Sequence, residues 1–139
     1  MDQDKTKETP IANVTAKHVA IWLDHAEARV FHIQAEEVEE ATFFAASEKS
    51  HRRHAREHDK AHPDDEKHFF HDIARSIEGN DGVLVVGPST AKLAFLRYLH
   101  THDQAVERSV VGVETVDHPT DKQIVAYARA YFAPGQRPS

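Results

Sequence analysis

The chain has 139 residues, 23 acidic side chains against 17 basic ones, twelve histidines, no cysteine and a formal charge of −6. That length suits one domain, which buries roughly two-thirds of its unfolded surface and needs no metal or disulfide staple. The lack of cysteine excludes disulfides, thiolate zinc sites and a cysteine nucleophile, and the acidic excess argues against a protein that coats nucleic acid indiscriminately. No apolar run reaches the roughly 18 residues of a membrane span, and the polar opening "MDQDKTKETPIANV" is no secretory signal, so a soluble, cytoplasmic protein without membrane contact is expected.

Residues 1–15 are polar, carry Pro10 and show no apolar period, which predicts a disordered tail. Order is expected over 16–133. Val19–Leu23 forms a β-prone run, Ala28–Ile33 a second, and "DHAE" fits the hairpin loop between them. Residues apolar at successive positions suggest a central strand covered on both faces. "EEVEEATFFAA" reads as a third strand whose charged half suits a sheet edge. Its open edge would also serve a homodimer.

The period changes at Pro63. Asp64, Asp65 and Glu66 would complement the dipole of a first helix turn, and Phe69, Phe70, Ile73, Ala74 and Ile77 recur at helical spacing up to a stop at Gly79-Asn80. "GVLVVGPS" is a buried strand. Ser89 is expected to cap the helix "TAKLAFLRYL", with Leu93, Leu96 and Leu99 inward. "SVVGVETV" is a fifth strand. Thr120 and Gln123 have capping-box spacing and open a last helix bearing Ile124, Val125, Ala128, Tyr131 and Phe132. Residues 134–139 form a loose tail.

The predicted order is β-β-β-α-β-α-β-α. Short early loops imply antiparallel pairing, and the later helical crossovers imply parallel pairing. The result is an α/β fold with a mixed five-stranded sheet and flanking helices, as in ribonuclease-H-like folds. From the segment after the third strand into the first helix runs "SHRRHAREHDKAHPDDEKHFFH", with six of the twelve histidines. Within residues 49–60, Lys49, Arg52, Arg53, Arg56 and Lys60 outnumber Glu57 and Asp59. Such a patch on an acidic body suits a focused phosphate contact, and equally a solvated loop over 46–62 kept soluble by mixed charge.

The stretch "VAIWLDHAEARVFHI", the basic segment, "VVGPSTAKLAFLRYL" and the closing strand and helix resemble the middle domain of archaeal and eukaryotic peptide-chain release factors and Pelota. They also resemble small bacterial proteins labelled translational machinery proteins by similarity to that domain. The resemblance spans about residues 17–132. It implies that fold, and a basic segment suited to the ribosome, through ribosomal RNA or tRNA. In release factors the corresponding segment carries Gly-Gly-Gln. Residues 46–62 contain no glycine, which removes the reason to expect peptidyl-tRNA hydrolysis.

Lys49, Arg52, Arg53, Arg56 and Lys60 are therefore the expected RNA contacts, since guanidinium forks and ammonium groups bind phosphate oxygens. The rival reading uses His51, His54, His58 and His62, whose spacings of three, four and four would align imidazoles on one helix face for zinc, nickel or copper. A third is a plain protein-interaction module. His68 and His71 are expected on the solvent flank of the first helix. "GPSTAK" places a helix start beside Lys92, yet it is neither G-x-x-x-x-G-K-[ST] nor G-x-G-x-x-G, so a turn and cap are expected there. Metal-dependent nuclease chemistry needs clustered carboxylates, and Asp24 and Asp117 have no evident companions. No G-x-S-x-G motif supports serine catalysis, and Trp22 in a central strand reads as core. A non-enzymatic, translation-associated RNA binder is the expectation.

Overall fold

The computed structural model describes residues 17–45 and 63–133, the side chains of residues 63 and 64 excepted. Its strands are β1 (His18–Leu23), β2 (Glu27–Ile33), β3 (Val38–Phe44), β4 (Gly82–Gly87) and β5 (Val110–Thr115). Its helices are α1 (Pro63–Ser76), α2 (Ala91–His102), α3 (Gln104–Ser109) and α4 (Asp121–Phe132). The strands form one five-stranded sheet in the order β3-β2-β1-β4-β5. β1 pairs antiparallel with β2 and β2 with β3, whereas β1–β4 and β4–β5 are parallel. The expected mixed sheet is therefore present.

β1 and β4 are central and buried along nearly their whole lengths, which is why both read as continuous apolar runs rather than alternating ones. Their side chains alternate between two cores. Val19, Ile21, Leu23, Val83 and Val85 meet Phe69, Phe70 and Ile73 of α1, Phe95 and Leu99 of α2, and Val106 of α3. Ala20, Trp22, Leu84 and Val86 face the other way, toward Ile124 and Ala128 of α4. Three helices thus share one face and a single helix covers the other.

Helix ends follow their local chemistry in most places. Gly79 adopts φ 79°, the left-handed conformation that ends a helix at little cost in glycine. Thr120 accepts from the Gln123 backbone at 3.1 Å, while the Gln123 side chain accepts from the Thr120 backbone at 2.8 Å, completing the expected capping box. The start of α2 differs from expectation. Thr90 is the N-cap with no side-chain cap bond, and Ser89 Oγ accepts only a long 3.4 Å bond from Ala91 N. The inward face consequently carries Ala91, Lys92, Phe95 and Leu99, while Leu93 is 44% exposed. Leu93 and Phe95 are two residues apart on a helix, so only one of them can face the sheet. The short helix α3 is an additional element. Asp103 starts it by accepting from Val106 N at 3.3 Å, and the helix seats Val106 in the core.

β5 shifts register by one residue after Val110, so that Val83 pairs with Val110 but Leu84 with Gly112. The displaced Val111 carbonyl accepts a 3.0 Å hydrogen bond from Tyr131 Oη of α4. Gly112 makes room for this. A Cβ there would lie 2.2 Å from the same hydroxyl.

Candidate functional site

β3 runs with β1, β4 and β5, so four strands end at one edge of the sheet, at Leu23, Phe44, Gly87 and Thr115. α1 ends at the opposite edge, where Asp81 N donates to Lys17 O at 2.8 Å and Asp81 Oδ2 accepts from Lys17 N at 2.7 Å. A 14-residue helix spans roughly 21 Å, so its start at Pro63 lies back at the carboxyl edge. Residues 45 and 63 therefore both flank the edge at which parallel α/β sheets generally place ligand sites. Lys49, Arg52, Arg53, Arg56 and Lys60 lie between them, as do His51, His54, His58 and His62. All nine lie outside the described residues.

The turns at this edge are braced against one another. Asp24 Oδ1 accepts from the backbone N–H groups of Ala26 at 2.8 Å and Glu27 at 2.9 Å, which sets the β1–β2 turn. Ala45 N donates to Ala26 O at 2.8 Å, and Val116 N to Gly87 O at 3.1 Å. His25 Nε2 and Thr90 Oγ1 are 3.3 Å apart. A Cβ on Gly87 would come within 2.2 Å of Leu23 O, so only glycine permits this approach of β4 to β1. Trp22 is 2% exposed and its Nε1 donates to Asp117 O at 2.9 Å, tying the end of β1 to the loop after β5. His118 packs its ring against the indole at 5.3 Å.

Beside Trp22 stands a charged group that the sequence reading missed. Arg29, directly opposite Trp22 across the β1–β2 pair, lies over its ring at 5.2 Å. Its Nε donates to Glu27 Oε2 at 2.8 Å and its Nη1 to Asp121 Oδ1 at 2.9 Å, so it ties β2 to the first residue of α4. The Glu27 hydrogen bond raises the guanidinium pKa most; burial opposes it, and the Asp121 bond and both carboxylate charges add to it. Glu40 on β3 completes the cluster. Burial holds its carboxyl above the usual range, a hydrogen bond to Asp121 and that residue's charge add to the rise, and Arg29 opposes it. The alternation of Glu27 and Arg29 along β2 signalled one polar flank, but nothing local indicated that Asp121 and Glu40 would join it.

This arrangement is chemically specific. Arg29 is neutralised by two carboxylates. Lys92, 7% exposed, folds back so that Nζ donates to Ser89 O at 2.6 Å, bracing the turn before α2. Both cations are thereby occupied within the protein. Asp117 is fully exposed, and no three His, Asp or Glu side chains among the described residues are grouped to hold a metal ion. His68 and His71 sit on the solvent side of α1 with ring centroids 6.5 Å apart. No helix among the described residues is long and apolar enough to cross a membrane.

No family model and no curated protein matches the chain. Solved structures do. Pelota from Archaeoglobus fulgidus superposes with TM-score 0.59 at 15% identity, over 88% of this chain and 33% of that one. Pelota from Thermoplasma acidophilum gives 0.58 at 16% identity, over 98% and 40%. The archaeal translation termination factor aRF1 gives 0.51 at 16% identity, over 81% and 33%. The chain thus has the fold of a part of these translation factors and spans between a third and two-fifths of their length.

Proposed function

We propose that this domain associates with the translation machinery by contacting RNA, and that Lys49, Arg52, Arg53, Arg56 and Lys60 supply the phosphate contacts. The reading starts from a fold shared with translation factors, one of which, an archaeal Pelota, has been described bound to the ribosome together with ABCE1. One observation carries it to a particular place. The described residues that bracket these five cations in sequence, Ala45 and Pro63, both lie at the carboxyl edge, where Arg29 and Lys92 are already engaged by protein acceptors. Exposed Lys67 and Lys122, near the starts of α1 and α4, can join the segment's cations on a polyanion there. Without Gly-Gly-Gln, the role is one of binding rather than hydrolysis.

Co-sedimentation with ribosomes, and binding to ribosomal RNA or tRNA, followed over a salt series tests this. Each neutralised phosphate releases about 0.7–0.9 counterion equivalents, so Arg52→Gln, Arg53→Gln and Arg56→Gln together should flatten the logarithmic salt slope by about 2. No association even at low salt, or an unchanged slope in the triple variant, would overturn the assignment.

A further inference from the structure

Beside α4, the described residues of the sheet face it covers enclose a cavity of about 360 Å³ at the carboxyl edge. Its walls are apolar: Ala20, Leu84 and Val86 from β1 and β4, Val116 from the loop after β5, and Ile124 from α4. Asp117, His118, Pro119, Gln123 and Tyr127 complete its lining. A flat ring with a hydrogen-bonding edge matches apolar walls beside such polar groups, and the volume sits near the lower end of small-ligand sites, at roughly 300–1,000 Å³. The charge among them narrows the choice. The fully exposed Asp117 carboxylate, whose Oδ1 lies 4.0 Å from His118 Nδ1, accepts N–H donors. The Tyr127 hydroxyl offers a donor.

We propose that this cavity binds a guanine base. Guanine presents two adjacent N–H donors, N1–H and the N2 amino group, to which the two oxygens of one carboxylate are complementary, and its O6 accepts from a donor such as Tyr127. The sugar and phosphate then point outward, toward the edge flanked by residues 45 and 63. The base is either a free nucleoside or an unpaired guanine in RNA; the second source deepens the RNA-contact reading and rests on it.

Trp22 is the chain's single tryptophan, and its indole is bonded to the Asp117 carbonyl, so its fluorescence reports occupancy. Guanosine should change that signal saturably, and inosine, which lacks the N2 amino group, should bind about tenfold more weakly, the loss expected for one hydrogen bond to a charged acceptor. Asp117→Asn should abolish the preference for guanosine while leaving the melting temperature unchanged. Val116→Phe, checked for folding by the same melt, should block both nucleosides. GMP should bind no better than guanosine. A single-stranded RNA with guanine replaced by hypoxanthine separates the two sources. If RNA binds equally with either base and in Val116→Phe, and guanosine gives no signal, the cavity assignment falls while the RNA contact stands. If guanosine binds as described and no RNA does, the RNA reading falls and the cavity remains a nucleoside site. Equal binding of guanosine and inosine would overturn the guanine assignment.

Discussion

The two faces of the sheet differ in what covers them. Among the described residues, three helices on one face enclose a core of sixteen buried residues, including Phe69, Phe70, Phe95 and Leu99; on the other, α4 encloses eight. Five strands at about 4.8 Å spacing span roughly 19 Å between outer axes, while a helix with its side chains is about 10–12 Å across. A single helix therefore cannot cover that face. α4 crosses it from Asp121, held by Arg29, to Phe132, stacked on His18 at 4.1 Å, and packs against β1 and β2. On the β4–β5 side it leaves the apolar cavity, and on the β2–β3 side the cluster of Arg29, Glu27, Glu40 and Asp121. The lesson is that an α/β sheet acquires its chemistry where its helices are too few to seal it.

That contrast can be broken experimentally. The largest effect should come from Phe95→Ala, which empties the middle of the closed core beside Phe70 and should cost about 3–5 kcal/mol. Ile124→Ala, in the half-open core, should cost about 2 kcal/mol, because the neighbouring cavity already limits its packing. Urea midpoints for the two variants compare the faces directly; equal losses would mean that the second face is as tightly packed as the first.

The two close-approach glycines sharpen the same point. Gly87→Ala drives a methyl group into the Leu23 carbonyl, a backbone atom that cannot rotate away, and should cost about 1–3 kcal/mol. Gly112→Ala meets the end of the Tyr131 ring instead, a side chain that can move at the cost of its bond to Val111. Pairing it with Tyr131→Leu should recover most of the loss, whereas no single side-chain change should rescue Gly87→Ala.

Smaller effects come from the charged cluster. Arg29→Met removes the tie between β2 and α4 and leaves its carboxylates uncompensated. Because the guanidinium is about one-third exposed, solvent screening should hold the loss to about 1 kcal/mol. The smallest change is one of pH dependence. Glu40 holds its proton more tightly in the folded chain than its ordinary value of 4.5 allows. The stability from that proton is fully present below 4.5 and is lost as pH rises through the elevated folded value. Glu40→Gln, which keeps a donor facing Asp121, should flatten this decline and melt at or above the wild-type temperature at pH 7. A parallel pH profile for the two proteins would count against the Glu40–Asp121 hydrogen bond.

All five strands, the three longer helices and the antiparallel-then-parallel order could be read along the chain. Each depends on a pattern within a few residues: the apolar run of β1, the helical spacing of Phe69 to Ile77, the Thr120–Gln123 box, the glycine stop at 79. On α2, Leu99 is buried and Leu96 packs against the core as expected, but Leu93 was misplaced because Leu93 and Phe95 both suit a core, and only the angle at which the helix docks on the sheet chooses between them. α3 escaped notice because six residues are too few to display a helical period.

The carboxyl-edge site divides in the same way. The cationic segment announces itself in composition, whereas Arg29 and Asp121 stand 92 positions apart, and Trp22 and Asp117 stand 95 apart. Linear order thus specified which segments pair and where each helix begins, since local backbone preferences and period-matched burial suffice for that. Three-dimensional packing settled which side chains meet across the sheet and which face stayed open, because those outcomes depend on helix width and docking angle, quantities that no short window of residues encodes.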